Sequence, residues 1–300
     1  MFTSSVKSSY SSFVSAKIRD YGLLFKFKLS LTVVFTSVLA FAIATAGSID
    51  FLTMSLLFLG GFLITGSSNA LNEVIEKESD KLMERTKNRP LATNRMQPVE
   101  AILIAGIAGV GGISLLWFAF NPLASMLGAI SLLSYAFIYT PLKRLTPLAV
   151  LVGAIPGAMP PLIGWVCATG EIGYEAMSLF SIQFLWQFPH FWAIAWIAHE
   201  DYSKAGFKLL PFEDGKSKST AFLCIIYIVI LTVISVTPAI FGYIHPAIGA
   251  IVGILGLCFL YPAIQLYKQC DVSSARKLMF GSIAYLPMVM IVLLIGKIAF

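Results

Sequence analysis

Nine apolar runs, each about as long as a membrane-spanning helix, make up most of this 300-residue chain. An apolar run of about 20 residues crosses the hydrocarbon core of a bilayer. The chain is 58% hydrophobic and 12% charged, and a soluble domain of that composition would aggregate. We therefore predict an all-α polytopic membrane protein with spans at residues 29–46, 51–71, 99–120, 122–140, 147–168, 176–198, 220–241, 246–267 and 278–300.

Basic residues are distributed unevenly between the loops. Of the 21 Lys and Arg residues, all except Lys297 precede the first span or follow spans two, four, six and eight. The opposite loops carry Asp50, Glu171 and Glu175 and no basic residue. Because loops rich in Lys and Arg stay in the cytoplasm, we predict a cytoplasmic N-terminus. The net charge of +6 is then a topology signal, and we do not expect binding to nucleic acid.

The N-terminal segment, residues 1–28, is predicted to be a short disordered cytoplasmic tail, followed by a single transmembrane domain at 29–300. The segment is rich in Ser and has no acid before Asp20, as in a mitochondrial transit peptide, but Arg19 is its one arginine. We favour the inner (plasma) membrane of a bacterium, with the mitochondrial inner membrane as the alternative. The four Cys residues form no CxxC pair, so we expect no disulfide and no thiolate metal site.

The densest charged stretch lies at residues 72–90. Asn72, Glu76 and Asp80 recur at intervals of four, which places three oxygen-bearing side chains on one face of a helix. Arg85 and Arg89 follow. Mg²⁺ prefers carboxylate oxygens shared with substrate phosphates, and Arg recognises phosphate with a bidentate fork. The stretch predicts a site for a magnesium-bound diphosphate; the alternative is a solvated interfacial helix.

Prolines and glycines occur close together in the fifth predicted span, between Gly153 and Trp165. Broken helices at membrane depth persist only where protein or a cavity covers the backbone. We therefore expect these residues to interrupt the span and the span to line a pocket. The preceding loop carries Tyr139, Lys143 and Arg144, for which a positive-inside anchor is the alternative interpretation.

The sixth span contains Trp186, Gln187 and His190. Polar residues inside an apolar span usually face the bundle interior and mark a site. His190 can bind a heme or act on a proton, or it can serve only as a packing donor between helices. The aromatic residues can form an interfacial belt or a wall for a flat or isoprenoid substrate.

A second pair of acids, Glu200 and Asp201, follows on the same membrane side. Two acidic clusters that face each other can hold Mg²⁺ and a diphosphate between them. The alternative for this pair is ordinary solvated loop charge.

These motifs together resemble a known family. Asn72-x-x-x-Glu76-x-x-x-Asp80, with Arg85-Thr86-x-Asn88-Arg89-Pro90, resembles the first signature of the UbiA superfamily of intramembrane prenyltransferases. Four further motifs of this chain resemble the heme O synthase branch of that superfamily. They are Tyr139-Thr-x-x-Lys143-Arg144-x-Thr146, Gly153-Ala-x-Pro-Gly157, Trp186-Gln187-x-Pro189-His190-Phe191-Trp192 and Asp201-Tyr202-x-x-Ala205-Gly206.

Two positions depart from the superfamily pattern. Glu76 stands where Asp is usual, which keeps the carboxylate and adds a methylene. Ile197 stands where the second motif, Asp-x-x-x-Asp, has its first acid, and Asp201 matches the last. A second metal site is therefore in question, with Glu200 or His199 as substitute ligands.

The resemblance implies nine helices in two groups around a central cavity, and farnesyl transfer from farnesyl diphosphate to a vinyl group of heme b, which gives heme O. The implied cofactor is Mg²⁺, and the implied partners are the two substrates, membrane lipid, and heme A synthase or terminal oxidase assembly proteins. The implied catalytic residues are Asn72, Glu76, Asp80, Lys143 and Asp201. The implied metal ligands are the same residues without Lys143. The implied substrate-binding residues are Arg85, Arg89, Tyr139, Arg144, Trp186, Gln187 and His190.

Three other functions fit parts of the sequence. A polyprenyltransferase can act on another aromatic acceptor, such as a quinone precursor. A transporter can have nine spans, although its charged residues usually lie at the bilayer midplane. A non-catalytic heme-binding partner of a terminal oxidase would have no use for the acidic face at Asn72–Asp80.

Overall fold

The computed structural model of this chain describes residues 4–48 and 50–299, with side chains from Val14 onward. The first three residues of the predicted tail and Phe300 of the ninth predicted span lie outside the described residues. The described residues form helices and no strand. The helices are α1 (Ser4–Leu24), α2 (Phe27–Ala44), α3 (Phe51–Ile75), α4 (Lys77–Asp80), α5 (Pro98–Ala119), α6 (Pro122–Leu133), a π-helical segment (Ser134–Tyr139), α7 (Thr140–Leu142), α8 (Ala149–Thr169), α9 (Tyr174–Ile197), α10 (His199–Lys204), α11 (Lys218–Ile240), α12 (Pro246–Gln269) and α13 (Val272–Ala299).

Eight spans in the described part of the chain are long and apolar enough to cross a membrane, where the sequence predicted nine. One of the eight combines α6, the π-helical segment and α7. The sixth predicted span is α9, which is 24 residues long but carries Gln183, Gln187 and His190. These polar side chains lower its apolar content, although it packs against α8, α11 and α13. The all-α, multi-pass membrane architecture is confirmed, and the count of nine is not.

α8 runs without a break through its internal prolines, so the prediction that they interrupt this span was wrong. A proline lacks the N–H that would bond the carbonyl four residues earlier, and neighbouring helices supply other donors. Pro161 leaves the carbonyl of Gly157 without its backbone hydrogen-bond donor. That carbonyl instead accepts a hydrogen bond from Nε2 of Gln183 at 2.7 Å. The carbonyl of Pro156 accepts from the Ser131 hydroxyl at 3.2 Å. α8 is the most enclosed of the eight spans.

Within the predicted N-terminal tail, Ser4–Leu24 form helix α1, which corrects the expectation that the tail is disordered. Arg95 donates to the carboxylate of Asp20 through Nε at 3.2 Å and through Nη2 at 3.0 Å. Nζ of Lys17 lies 2.8 Å from the Glu100 carboxylate at the start of α5. These partners lie far along the chain, and they hold the second half of α1 against the loop that precedes α5.

The loops rich in basic residues meet at one end of the bundle. Lys26, before α2, contacts Asn72 at the end of α3, and Lys143, after α7, contacts Glu76. The backbone N–H of Lys208 donates to the carbonyl of Lys143 at 2.7 Å, which brings the loop after α10 to the same end. The opposite end holds Lys297, the exception to the charge rule.

Lys297 is compensated at that opposite end. Its Nζ lies 3.8 Å from the carboxylate of Glu175, in the first turn of α9. Tyr174 stacks on Tyr243 at the same end, with ring centroids 4.6 Å apart. An acid therefore pairs with the one basic residue that departs from the predicted distribution.

We expect Gly173, before α9, to face the side of the membrane opposite the basic loops. A Gly173→Cys variant in a background without the native cysteines should react with a membrane-impermeant thiol reagent in intact cells. A Lys204→Cys variant, in α10, is the matched control and should react only after the membrane is opened. The reverse pattern would contradict the predicted orientation.

Candidate active site

Four polar side chains at the junction of α3 and α4 are almost fully buried: Asn72 is 2% exposed, Glu73 0%, Glu76 6% and Asp80 1%. α3 ends just before Glu76, yet the backbone N–H of Glu76 bonds the carbonyl of Asn72 at 2.9 Å. The N–H of Asp80 bonds the carbonyl of Glu76 at 2.8 Å. Because this four-residue bonding continues across the junction, the side chains at 72, 76 and 80 share a face, as the sequence predicted.

Basic side chains from outside α3 and α4 neutralise this acidic cluster. Lys143 forms an ion pair with Glu76. Nη1 of Arg89 donates to Oδ2 of Asp80 at 2.7 Å, and Nε of Arg89 lies 3.4 Å from Oε1 of Glu73. Burial lowers the pKa of the Lys143 ammonium, and the Glu76 carboxylate opposes that shift. The cluster is thus a buried network of alternating charge.

Asn72 is held from two sides. Nζ of Lys26 donates to its Oδ1 at 2.7 Å, and its Nδ2 donates to the Thr140 hydroxyl at 3.1 Å. Burial, together with the nearby Arg89, lowers the pKa of Lys26 to about 7, against the opposing effect of Glu73. The carboxamide oxygen therefore already accepts a hydrogen bond from a lysine side chain in this structure.

Sequence reasoning missed Glu73 and Lys26 as members of the site. Glu73 had a signal, because it precedes Glu76 by three residues and Asp80 by seven, which is the spacing of one helix face. Lys26 had none, because its contact with Asn72 joins segments 46 residues apart.

Several oxygens of the cluster are suited to a hard cation. Both carboxylate oxygens of Glu73 and Oδ1 of Asp80 are buried and have no hydrogen-bond partner among the described residues. Buried polar atoms without partners are rare and call for an explanation, and carboxylate and carboxamide oxygens are the ligands that Mg²⁺ prefers. The donor set therefore fits a magnesium ion. No three Asp, Glu, His or Cys side chains within the described ranges converge into a ready-made metal site, and the carboxylates face basic residues instead.

The other predicted residues of this end surround the cluster. The Arg144 guanidinium donates to the Ser79 hydroxyl at 2.6 Å, and Nη2 of Arg85 lies 3.3 Å from the Tyr202 hydroxyl. The Tyr139 ring centroid is 5.0 Å from Nζ of Lys143. Arg85 and Arg144 are exposed, so their guanidinium groups remain accessible to an anion.

Asp201, on α10, forms its ion pair outside the acidic cluster. Its carboxylate lies 3.8 Å from Nζ of Lys204, one turn further on the same helix. Glu200 beside it is exposed, and Ile197 is the last residue of α9. Among the described residues Asp201 forms no ion pair or hydrogen bond with the residues of the acidic cluster, and its predicted role as a metal ligand stays a prediction.

A cavity of about 500 Å³ opens beside α10. Its walls include Tyr202, Phe207 and His199. The Phe207 ring also lies 5.2 Å from Nζ of Lys143, so the cavity adjoins the acidic cluster. Pockets of this volume suit small-molecule ligands.

The predicted residues of α9 form a second polar group, deeper in the bundle. The rings of Trp186 and His190 stack, with centroids 4.5 Å apart and an angle of 16° between planes. Both side chains bond to Ser282 of α13, which sequence reasoning missed. Nε2 of Gln187 donates to the carbonyl of Ala154 at 2.9 Å, so its observed contact serves the packing of α9 on α8.

Comparisons with known proteins agree in the family that they indicate. The model of the UbiA prenyltransferase family matches residues 33–286. A protoheme IX farnesyltransferase from Cytophaga hutchinsonii is 45% identical over 285 residues, covering 95% of this chain and 100% of its own length. A protoheme IX farnesyltransferase from Christiangramia forsetii is 44% identical over 285 residues, covering 93% of this chain and 94% of its own.

Two solved structures have a similar fold. A digeranylgeranylglyceryl phosphate synthase has a TM-score of 0.79 at 19% identity, covering 95% of this chain and 100% of that one. A UbiA homolog from Archaeoglobus fulgidus, bound to GPP and Mg²⁺, has a TM-score of 0.70 at 14% identity, covering 91% and 99%. At these identities the likeness concerns the fold.

The buried ion pairs predict that Arg89 is needed for stability. Arg89→Met should leave Glu73 and Asp80 without their cation, at a cost of roughly 3–5 kcal/mol. Thermal unfolding in detergent measures the loss. Lys87→Met is the matched control, because it breaks an exposed pair with Glu84 at 2.5 Å and should have little effect. Equal unfolding temperatures for the two variants would contradict the prediction.

Proposed function

Because this chain belongs to the UbiA prenyltransferase family, we propose that it transfers the farnesyl group of farnesyl diphosphate to a vinyl group of heme b. The products are heme O and diphosphate. The observation that carries the proposal is the identity of 45% to a protoheme IX farnesyltransferase over 95% of the chain. Membership of a prenyltransferase family disfavours the transporter and the non-catalytic heme-binding partner.

The acidic cluster is the proposed metal site. Asn72, Glu76 and Asp80 would hold Mg²⁺, and Glu73, whose oxygens accept no hydrogen bond from the described residues, belongs to the same buried cluster. A bound Mg²⁺ would offset the negative charge that collects on the diphosphate as it leaves. The Archaeoglobus fulgidus homolog bound to GPP and Mg²⁺ supports this assignment. Asp201 is a further proposed ligand.

Basic side chains form the proposed diphosphate site. Lys143 and Arg89 already lie within the cluster, where each can exchange a carboxylate oxygen for a phosphate oxygen. Arg85 and Arg144 can bind phosphate with two N–H groups each. Stabilisation of the leaving diphosphate by these groups is the proposed main source of catalysis.

The proposed reaction needs no redox cofactor, because no step oxidises or reduces a substrate overall. The allylic C–O bond of the donor breaks, and the diphosphate takes the electron pair. The π electrons of the heme vinyl group then attack the farnesyl carbon. Water adds to the new cation beside the porphyrin and loses a proton, which leaves a hydroxyethylfarnesyl group. Apolar walls keep water from the first cation, and the Tyr139 ring can stabilise it by a cation–π contact.

The heme acceptor is proposed to bind against α9. Trp186 and His190 stack on each other and bring an aromatic surface and an imidazole nitrogen to one point of α9, and a heme can contact both. For Gln187 a substrate-binding role is also proposed, through its carboxamide oxygen, since the nitrogen is bonded to backbone carbonyls.

The proposed location is the inner membrane of a bacterium, and with the predicted orientation the acidic cluster would lie at the cytoplasmic surface. The bacterial sources of the two relatives support this membrane. Proteins that consume heme O, such as heme A synthase, and terminal oxidase assembly proteins are the proposed partners.

The activity itself is the direct test. Membranes that carry the protein, incubated with heme b, farnesyl diphosphate and Mg²⁺, should yield heme O by mass. Asp80→Asn and Glu76→Gln should each lower the yield on the order of 10²-fold or more, with the amount of protein in the membrane unchanged. Near wild-type yield from either variant would remove that residue from the metal site.

A matched control lies between the two acids. Glu78 is exposed and pairs with Lys81 at 2.7 Å, so Glu78→Gln should keep full activity. Farnesylation of a quinone precursor, with heme b left unreacted, would instead support the alternative acceptor class.

A further inference from the structure

Ser282 is a buried hydroxyl on α13 that joins two side chains of α9. It is 0% exposed. Its backbone carbonyl accepts from Nε1 of Trp186 at 2.7 Å, and its Oγ lies 2.7 Å from Nδ1 of His190. The same Oγ lies 2.5 Å from the carbonyl oxygen of Met279, one turn earlier. One serine therefore contacts both rings of the stacked pair.

The number of protons decides which atom donates in these contacts. A serine hydroxyl has one proton, and a carbonyl oxygen has none to give. If Ser282 donated to His190, two oxygens would face each other at 2.5 Å with no proton between them. If Ser282 donates to Met279, then Nδ1–H of His190 donates to Oγ, and both contacts are satisfied. The network therefore assigns the proton of the neutral ring to Nδ1.

We propose that Ser282 is a positioning residue for the acceptor: it holds His190 as the Nδ1–H tautomer, so that Nε2 presents its lone pair to the heme iron. A histidine that binds a metal usually donates its other N–H to an oxygen, which fixes the tautomer and the ring orientation. Imidazole is also a common axial ligand of heme iron. This inference rests on the proposed function.

The surroundings of His190 are consistent with that role. The ring is half-buried, and Nε2 has no hydrogen-bond partner among the residues that the structure describes. Stacking on Trp186, and an edge contact with Phe191 at 5.5 Å between centroids, restrict rotation of the ring. His190 lies seven residues before the end of α9, about 10 Å along the axis. An iron bound there would lie at that depth from the end of α9 that adjoins the acidic cluster.

Heme titration of the purified full-length protein tests the assignment. Loss of an outer hydrogen-bond partner typically weakens metal affinity 10–100-fold, so Ser282→Ala should raise the Kd for heme b by roughly tenfold or more. The iron–histidine vibration of the ferrous complex should shift in Ser282→Ala and disappear in His190→Ala. If Ser282→Ala fails to fold, Ser282→Cys, a weaker acceptor of similar shape, carries the same test. Asp80→Asn should bind heme b as the wild type does.

Two controls separate positioning from packing. Ser235→Ala removes another fully buried serine, one that bonds to Tyr285 of α13 and does not touch His190, and it should leave the Kd unchanged. Ser282→Ala should have no further effect in a His190→Ala background, because a positioning residue acts only through its partner.

The outcomes separate the inference from the proposed function. An equal loss of affinity from Ser282→Ala with and without His190 overturns the inference. The inference is also overturned if Ser282→Ala changes neither the Kd for heme b nor the iron–histidine vibration. It is overturned as well if heme bound to the wild-type protein has no histidine ligand. A wild-type protein that binds no heme b and makes no heme O would overturn the proposed function instead.

Discussion

The carboxylates at the end of α3 are buried at the edge of a membrane bundle, and a buried charge is tolerated only when an opposite charge faces it. The structure meets this constraint with Arg89 and Lys143, while Lys26 faces the carboxamide of Asn72. Because these basic residues come from three separate segments, the cluster holds the start of α2, the loop after α4 and the loop after α7 at one end of the bundle. Neutralising the acids thus also assembles the site.

The same constraint bears on substrate binding under the proposed function. A diphosphate alone would draw Lys143 and Arg89 away and leave Glu76 and Asp80 without partners. A metal ion alone would compete with those cations for the carboxylates. When metal and diphosphate arrive together, the acids face the metal and the bases face the phosphates, so no buried charge is left unpaired. Charge balance therefore favours joint binding of the two ligands.

Features that depend on local spacing were predictable from the sequence, and features that depend on distant contacts were not. The apolar runs predicted the spans, and the four-residue spacing of Asn72, Glu76 and Asp80 predicted their shared face. Lys26 and Ser282 entered only through contacts 46 and 92 residues away. The error about α8 has the same origin. The prolines of α8 predict which backbone N–H donors are missing from that helix. No local pattern shows that the side chain of Gln183, on α9, replaces one of those donors.

The polarity of α9 follows from what its neighbours require. α8 has carbonyls that its prolines leave without donors, and α9 supplies one through Gln183. His190 finds its partner on α13, and Trp186 bonds the same residue. Each polar group of α9 that bonds to a neighbouring helix is therefore shielded from lipid, as a membrane requires. The polar residues that lower the apolar content of α9 are also the ones that fix this helix against α8 and α13. Such a helix can hold a histidine in one orientation within the bundle, which a span packed by apolar contacts alone would not do.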